Sequence, residues 1–131
     1  MAREIETKCI HLEEEENSIN HYGAISYPIY QSATYAHPGV GQSTGYDYSR
    51  LQNPTREHLE KTVASLENGI DALAFSSGMA AITLMMELFK PGDHLIVDAD
   101  LYGGSIRLFN HVSEKNGIEF SSVDCHKENV A

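Results

Sequence analysis

From residue 53 onward the apolar positions alternate between two spacings; before it they follow neither for long. Leu59, Val63 and Leu66 fall three and four residues apart, on one face of a helix. Asn53-Pro54 ahead of them supplies a capping side chain and a proline at the first helical position, and Asn68-Gly69 supplies the stop. Residues 71–75 form a short run with the character of a buried strand, followed by the turn Ser76-Ser77-Gly78 and a helix from Met79 to about Phe89. Lys90-Pro91-Gly92-Asp93 is a second stop and turn, and residues 94–98 read as a second buried strand. Leu101-Tyr102-Gly103-Gly104-Ser105 leads into a helix to about Lys115, closed by Asn116-Gly117, and residues 118–123 make a third strand. Helix and strand alternate, so the expected class is α/β, with a mostly parallel sheet, flanking helices and right-handed crossovers.

The first 52 residues are organised differently. Ile5, Cys9 and Leu12 are at helical spacing, which predicts a short helix ending in the consecutive acids Glu13 to Glu16. The plain reading of that run is a solvated face. Residues 20–52 hold six of the seven tyrosines (Tyr22, Tyr27, Tyr30, Tyr35, Tyr46 and Tyr48) and only two formal charges, Asp47 and Arg50. Pro28 and Pro38 discourage helix there. A long irregular segment of this kind tends to be functional, and tyrosine-rich, charge-poor surface is typical of interfaces. The expectation is an extended arm that packs on a partner chain rather than on its own domain, with the division 1–52 for helix and arm and 53–131 for the α/β part.

Charge narrows the choice of partner. With 9 basic and 19 acidic residues in 131, the formal charge is 9 − 19 = −10, which disfavours nucleic-acid phosphate and anionic lipid surfaces. Two cysteines near opposite ends, Cys9 and Cys125, resemble neither a disulfide framework nor a zinc site, so a reducing, cytoplasmic setting is expected. The seven histidines show no metal-ligand spacing, and no metal site is expected. No targeting or membrane-spanning segment is visible in the 131 residues.

Three places have the residues for chemistry. The turn Ser76-Ser77-Gly78-Met79-Ala80 lies at the carboxyl end of a predicted strand and the amino end of a helix. Small side chains and outward N–H groups there suit a phosphate, although a serine-glycine turn also serves purely structural ends. Tyr102-Gly103-Gly104 follows the next strand, on the side where ligands bind in open α/β sheets. Its tyrosine either stacks on a planar ring or covers the sheet edge. In Tyr46-Asp47-Tyr48-Ser49-Arg50, the guanidinium among tyrosine hydroxyls suits an anion, or else pairs with Asp47 as a surface bridge.

The order Pro28-Ile29-Tyr30-Gln31-Ser32, Tyr46-Asp47-Tyr48-Ser49-Arg50, Asn53-Pro54-Thr55, Ser76-Ser77-Gly78-Met79 and Asp100-Leu101-Tyr102-Gly103-Gly104 resembles the amino-terminal pattern of one family. It is that of the pyridoxal-phosphate-dependent enzymes of cysteine and methionine metabolism, which includes cystathionine γ-synthase, cystathionine lyases, O-acetylhomoserine sulfhydrylase and methionine γ-lyase. The resemblance implies the front part of the large domain of the fold-type I transferases, incomplete and preceded by an extended arm. It further implies that Ser77, Gly78 and Met79 hold the phosphate of pyridoxal 5'-phosphate. Tyr102 would stack on the pyridine ring and help move protons, and Tyr48 and Arg50 would reach across a subunit boundary to a neighbour's cofactor phosphate. An oligomer with shared sites and a small amino-acid substrate follow from the same likeness.

In that family a lysine in a Ser-x-Thr-Lys context carries the cofactor, and it has no counterpart among these 131 residues; Thr7-Lys8 lies in the amino-terminal helix. The chain alone is therefore expected to be inactive and to hold the cofactor non-covalently at most. Gly104 stands where some γ-lyases carry a cysteine, which favours γ-replacement on an O-acyl-homoserine, of the cystathionine γ-synthase kind, over sulfhydrylase or lyase chemistry. The reading from another class is a non-catalytic module for phosphate ligands or assembly. With sheet edges uncovered, self-association is also expected.

Overall fold

The computed structural model describes residues 4–11 and 24–125. Leu12, the acidic run and Tyr22, named above, lie outside the described residues. The chain divides into two compact units, Met1–Ala74 and Phe75–Ala131.

The first unit contains α1 (Ile5–Ile10) and α2 (Pro54–Leu66), and the described residues 24–53 ahead of α2 form an irregular segment. The start of α2 follows from two adjacent residues. Asn53 is extended and its side-chain oxygen accepts from Thr55 N–H, while Pro54 takes the first helical position, where no N–H is missed. The end is set by Asn68, which adopts the left-handed conformation at φ 55°, with Gly69 N–H donating back to the Ala64 carbonyl at 2.8 Å. Pro54 and Ala64 are buried. Two i,i+4 ion pairs, Arg56–Glu60 and Glu57–Lys61, run along the helix surface.

In the irregular segment the backbone pairs with itself at one antiparallel bridge, Thr34 with Tyr48, flanked by Tyr35 N–H to the Asp47 carbonyl (3.2 Å) and Ser49 N–H to the Ala33 carbonyl (2.9 Å). Part of this arm docks on α2 of its own chain. Tyr27 stacks on His58 of α2 with ring centroids 3.9 Å apart, the Tyr46 hydroxyl donates to Glu57, and Asn53 holds the Tyr30 carbonyl and the Tyr35 hydroxyl. The start of α2 and its cap thus offer these tyrosines a carboxylate, an imidazole face and a carboxamide.

The second unit contains α3 (Gly78–Met86), β1 (His94–Asp98), α4 (Gly103–Leu108) and β2 (Glu119–Val123). The chain leaves α4 through a π-helical turn, Phe109–Ser113, and a short 3-10 turn, Glu114–Asn116. β1 and β2 pair in parallel from His94 opposite Glu119 to Asp98 opposite Val123. Parallel neighbours need a crossover, which α4 provides. Gly117 turns the chain back at φ 77°, and its carbonyl accepts from Gly92 N–H at 2.7 Å, so the two turns that precede β1 and β2 are tied together and fix the register. Behind the sheet, Phe109 and Phe120 stack with centroids 4.8 Å apart, beside the buried Ile118 and Ser113.

One predicted strand does not form. Residues 71–75 carry no ladder among the described residues; Ala72 N–H turns to Asp71 Oδ1 and Ala74 N–H to Glu60 Oε1, while Leu73 and Phe75 stay exposed. An apolar run becomes a strand only when a neighbour supplies hydrogen bonds, and the described sheet has two strands rather than three.

Candidate cofactor-phosphate site

In the second unit, Ser77 caps α3: it is extended, its Oγ accepts from Ala80 N–H at 3.1 Å, and its carbonyl accepts from Ala81 N–H at 3.2 Å. The N–H groups of Gly78 and Met79, at the first two helical positions, have no carbonyl four residues back within the helix. Gly78 faces open space, with nothing within 4 Å of where a Cβ would stand. A capped helix start with two uncommitted donors and a bare approach over a glycine fits a phosphate, whose charge the aligned peptide dipoles favour.

Tyr102 immediately precedes α4, and its carbonyl accepts from Ser105 N–H at 2.9 Å. Tyr102 is 73 % exposed, and one edge of its ring lies over Gly104 at the start of α4. A Cβ built on Gly104 would stand 2.5 Å from Tyr102 Cε1 and 3.0 Å from Met79 Sδ. Gly104 is thus the gap into which both side chains close. The buried Ser105 adds a weak contact, its Oγ 3.9 Å from Met79 Sδ. The packing of α3 on α4 therefore brings two sequence-predicted residues together, Met79 of the serine-glycine turn and Tyr102 of the next loop.

Tyr48 and Arg50 belong to the first unit. The structure brings them together as a pair, with Arg50 Cζ 5.2 Å from the Tyr48 ring centroid. The Asp47 bridge left open by the sequence does not form: Asp47 accepts from Ser43 Oγ at 2.5 Å and faces His37 Nε2 at 3.5 Å. Arg50 thereby keeps its guanidinium on an aromatic face, where its donors can meet an anion.

Sequence reasoning missed the ties beneath that pair. Glu57 lies between Lys61 and the Tyr46 hydroxyl; the Lys61 and then the Tyr46 hydrogen bonds hold its carboxyl below the usual value. Burial, followed by the Glu57 contact, pushes the Tyr46 phenol well above its ordinary range. The tyrosine-before-arginine spacing was visible, but the i-to-i+11 partnership of Tyr46 with Glu57 is a tertiary fact with no local signal.

The model of one family, the Cys/Met metabolism PLP-dependent enzymes, matches residues 6–131. The chain belongs to this family. It is 47 % identical to the cystathionine gamma-synthase/O-acetylhomoserine (thiol)-lyase of Bacillus subtilis (strain 168), over 99 % of this chain and 36 % of that protein. It is 54 % identical to a cystathionine gamma-lyase of the same organism, over 78 % of this chain and 27 % of the relative. The solved cystathionine gamma synthase of Xanthomonas oryzae pv. oryzae, in complex with aminoacrylate and cysteine, superposes with a TM-score of 0.84 at 34 % identity, covering 98 % of this chain and 33 % of that one. The chain thus spans about a third of the length of the relatives it matches. The expected fold class holds: this is a partial α/β domain of the fold-type I kind, from a family that depends on pyridoxal phosphate. The relatives include both synthases and lyases of sulfur amino-acid metabolism. No helix among the described residues is long and apolar enough to cross a membrane.

Proposed function

We propose that this chain supplies the phosphate cradle and the ring-stacking tyrosine of a pyridoxal-phosphate enzyme that replaces the γ-substituent of an O-acyl-homoserine, as cystathionine γ-synthases do. The observation that carries the reading is the closure of Tyr102 and Met79 over Gly104, which sets an exposed aromatic ring beside the helix start that suits a phosphate. Ser77, Gly78 and Met79 hold the phosphate through backbone N–H groups and the serine hydroxyl. When bound, the cofactor supplies an electron sink for charge developing at the substrate Cα. Tyr102 covers the ring and moves a proton through its hydroxyl, while the Tyr48–Arg50 pair serves the phosphate of a neighbouring copy. On this reading, residues 1–52 are the helix and arm of a self-associating protein, and residues 53–131 open the cofactor domain. The exposed free thiols of Cys9 and Cys125 suit a reducing, cytoplasmic setting.

Gly104 supports replacement over methionine γ-lyase chemistry, because a side chain there would enter the space that Tyr102 and Met79 share. The cystathionine γ-lyase reading draws on a different observation, the 54 % identity with the Bacillus subtilis lyase.

Titration of the chain with pyridoxal phosphate tests the cradle. A saturable absorbance change is expected in the wild type and is lost in Gly78→Asp, since an aspartate fits the open space without disturbing α3 but sets a carboxylate where the phosphate goes. Equal binding by Gly78→Asp and wild type would remove the reading. With O-acetylhomoserine and cysteine, the 131 residues, which contain no Ser-x-Thr-Lys, give no cystathionine above the rate of free cofactor.

A further inference from the structure

The asparagine ahead of α2 does more than start a helix. Capping uses one half of its carboxamide: Oδ1 accepts from Thr55 N–H at 2.9 Å. Serine, threonine or aspartate would cap as well. The other half, Nδ2, lies 2.9 Å from Ser49 Oγ, 3.1 Å from the Tyr30 carbonyl and 3.2 Å from the Tyr35 hydroxyl. The amide has two hydrogens, so these three acceptors share them. Its orientation is fixed by the partners themselves, because Thr55 N–H only donates and the Tyr30 carbonyl only accepts.

Each acceptor belongs to a different part of the arm. Tyr30 is held twice, since its own N–H donates to Thr55 Oγ1 at 2.8 Å. Ser49 is the residue between Tyr48 and Arg50. Its N–H donates to the Ala33 carbonyl at 2.9 Å, its Oγ donates to the Ser32 carbonyl, and the Tyr48 carbonyl accepts from Leu51 and Gln52 N–H at 2.9 and 3.0 Å. Fixing Ser49 therefore fixes the backbone between the two residues whose side chains meet at 5.2 Å. We infer that Asn53 is a positioning residue, whose Nδ2 group locks Ser49 and so presents Tyr48 and Arg50 together as one anion-binding pair. This rests on the proposed role of that pair at a cofactor phosphate.

Asn53→Asp separates the two halves, because a carboxylate keeps the cap and loses both donors. We expect α2 helicity to stay at the wild-type value while the thermal midpoint falls modestly with the lost donors. The Ser49 amide should exchange with deuterium about tenfold faster. The Arg50 Nε–H resonance should lose more than half of the shift it takes from the Tyr48 ring, as judged against Tyr48→Leu. Asn53→Ala should show the same changes and lose helicity as well. Wild-type exchange and an unchanged Arg50 resonance in Asn53→Asp would overturn the inference. Should Asn53→Asp fail to fold, Ser49→Ala, which leaves the cap intact, decides by the same Arg50 resonance: a lost shift supports the lock and a retained shift overturns it. These readouts need no ligand, so absence of pyridoxal-phosphate binding in the wild type would sink the functional reading while leaving the lock standing. Binding in Asn53→Asp as tight as in wild type, with the Arg50 shift lost, would end the positioning role.

Discussion

Replacing Gly104 with alanine tests whether the ring of Tyr102 is placed by the absence of a side chain below it. The added Cβ would arrive 2.5 Å from Tyr102 Cε1 and 3.0 Å from Met79 Sδ, distances at which something must move. What must move is cheap to move. Tyr102 is 73 % exposed, and Met79 is a flexible thioether. Overpacking of a closed core costs roughly 1–3 kcal/mol, and an exposed ring that rotates away should cost less than the lower end of that range. Against it stands the gain from replacing glycine in the first turn of α4, up to about 1 kcal/mol. The two nearly cancel, so urea denaturation should place Gly104→Ala within about 1 kcal/mol of wild type. The ring, however, should leave. In the wild type the Gly104 Hα resonances should be shifted by the adjacent ring and show cross-peaks to Tyr102. In the variant the protons of the substituted alanine should show neither, nor should Tyr102 retain cross-peaks to the Met79 methyl. Stacking of an aromatic pair contributes about 0.5–1.5 kcal/mol, so pyridoxal phosphate should bind roughly two- to tenfold more weakly. A loss of more than about 3 kcal/mol would show that the ring cannot rotate away, and unchanged Tyr102–Met79 cross-peaks would show that it was never held by this gap. Either result refutes the reasoning.

Other expectations bear on the same scaffold. Ser77→Ala removes the cap of α3 and should lower stability by about 1 kcal/mol in chemical denaturation. Gly117→Ala places a Cβ 3.2 Å from Pro91 Cβ at φ 77° and should cost about 1–2 kcal/mol, visible as a lower thermal midpoint with α2 unaffected. The Glu57 carboxyl is held below its ordinary value of 4.5 by Lys61 and Tyr46, so its stabilisation is complete above pH 4.5 and is lost as pH falls through the lower folded value. Tyr46 runs the other way: its phenol is raised above the ordinary 10.0, so its contribution is intact below pH 10.0 and is lost as pH climbs toward the folded value. Circular dichroism of α2 against pH should show both limbs, and Tyr46→Phe should flatten the alkaline one. Sedimentation across micromolar concentrations should show self-association; a clean monomer throughout would contradict it.

By itself the sequence determined whatever depends on a few neighbouring residues. Asn53-Pro54 starts α2, Asn68-Gly69 stops it, Ser77-Gly78 opens α3, and the runs 94–98 and 118–123 mark the two strands that form at His94–Asp98 and Glu119–Val123. Capping, turn conformation and apolar period act over three or four residues, so they are written locally. The order of the motifs also identified the family, because five short pieces in sequence carry information that no single one has.

Tertiary structure decided everything that needed a second, distant partner. Residues 71–75 have the composition of a strand but form no ladder among the described residues. The tyrosines gave no sign in sequence of their partners within the chain: Glu57 for the Tyr46 hydroxyl, His58 for the Tyr27 ring and Asn53 for the Tyr35 hydroxyl. Arg50 had two candidate partners in sequence; the fold gave Asp47 to His37 and Ser43 and left the guanidinium on Tyr48. In sequence Gly104 was only the last residue of Tyr102-Gly103-Gly104, and the packing of α3 on α4 showed it as the gap that sets a tyrosine beside the serine-glycine turn. A hydrogen bond or a ring contact between residues far apart in sequence forms where chain geometry delivers both groups at once, and that delivery is a property of the folded whole.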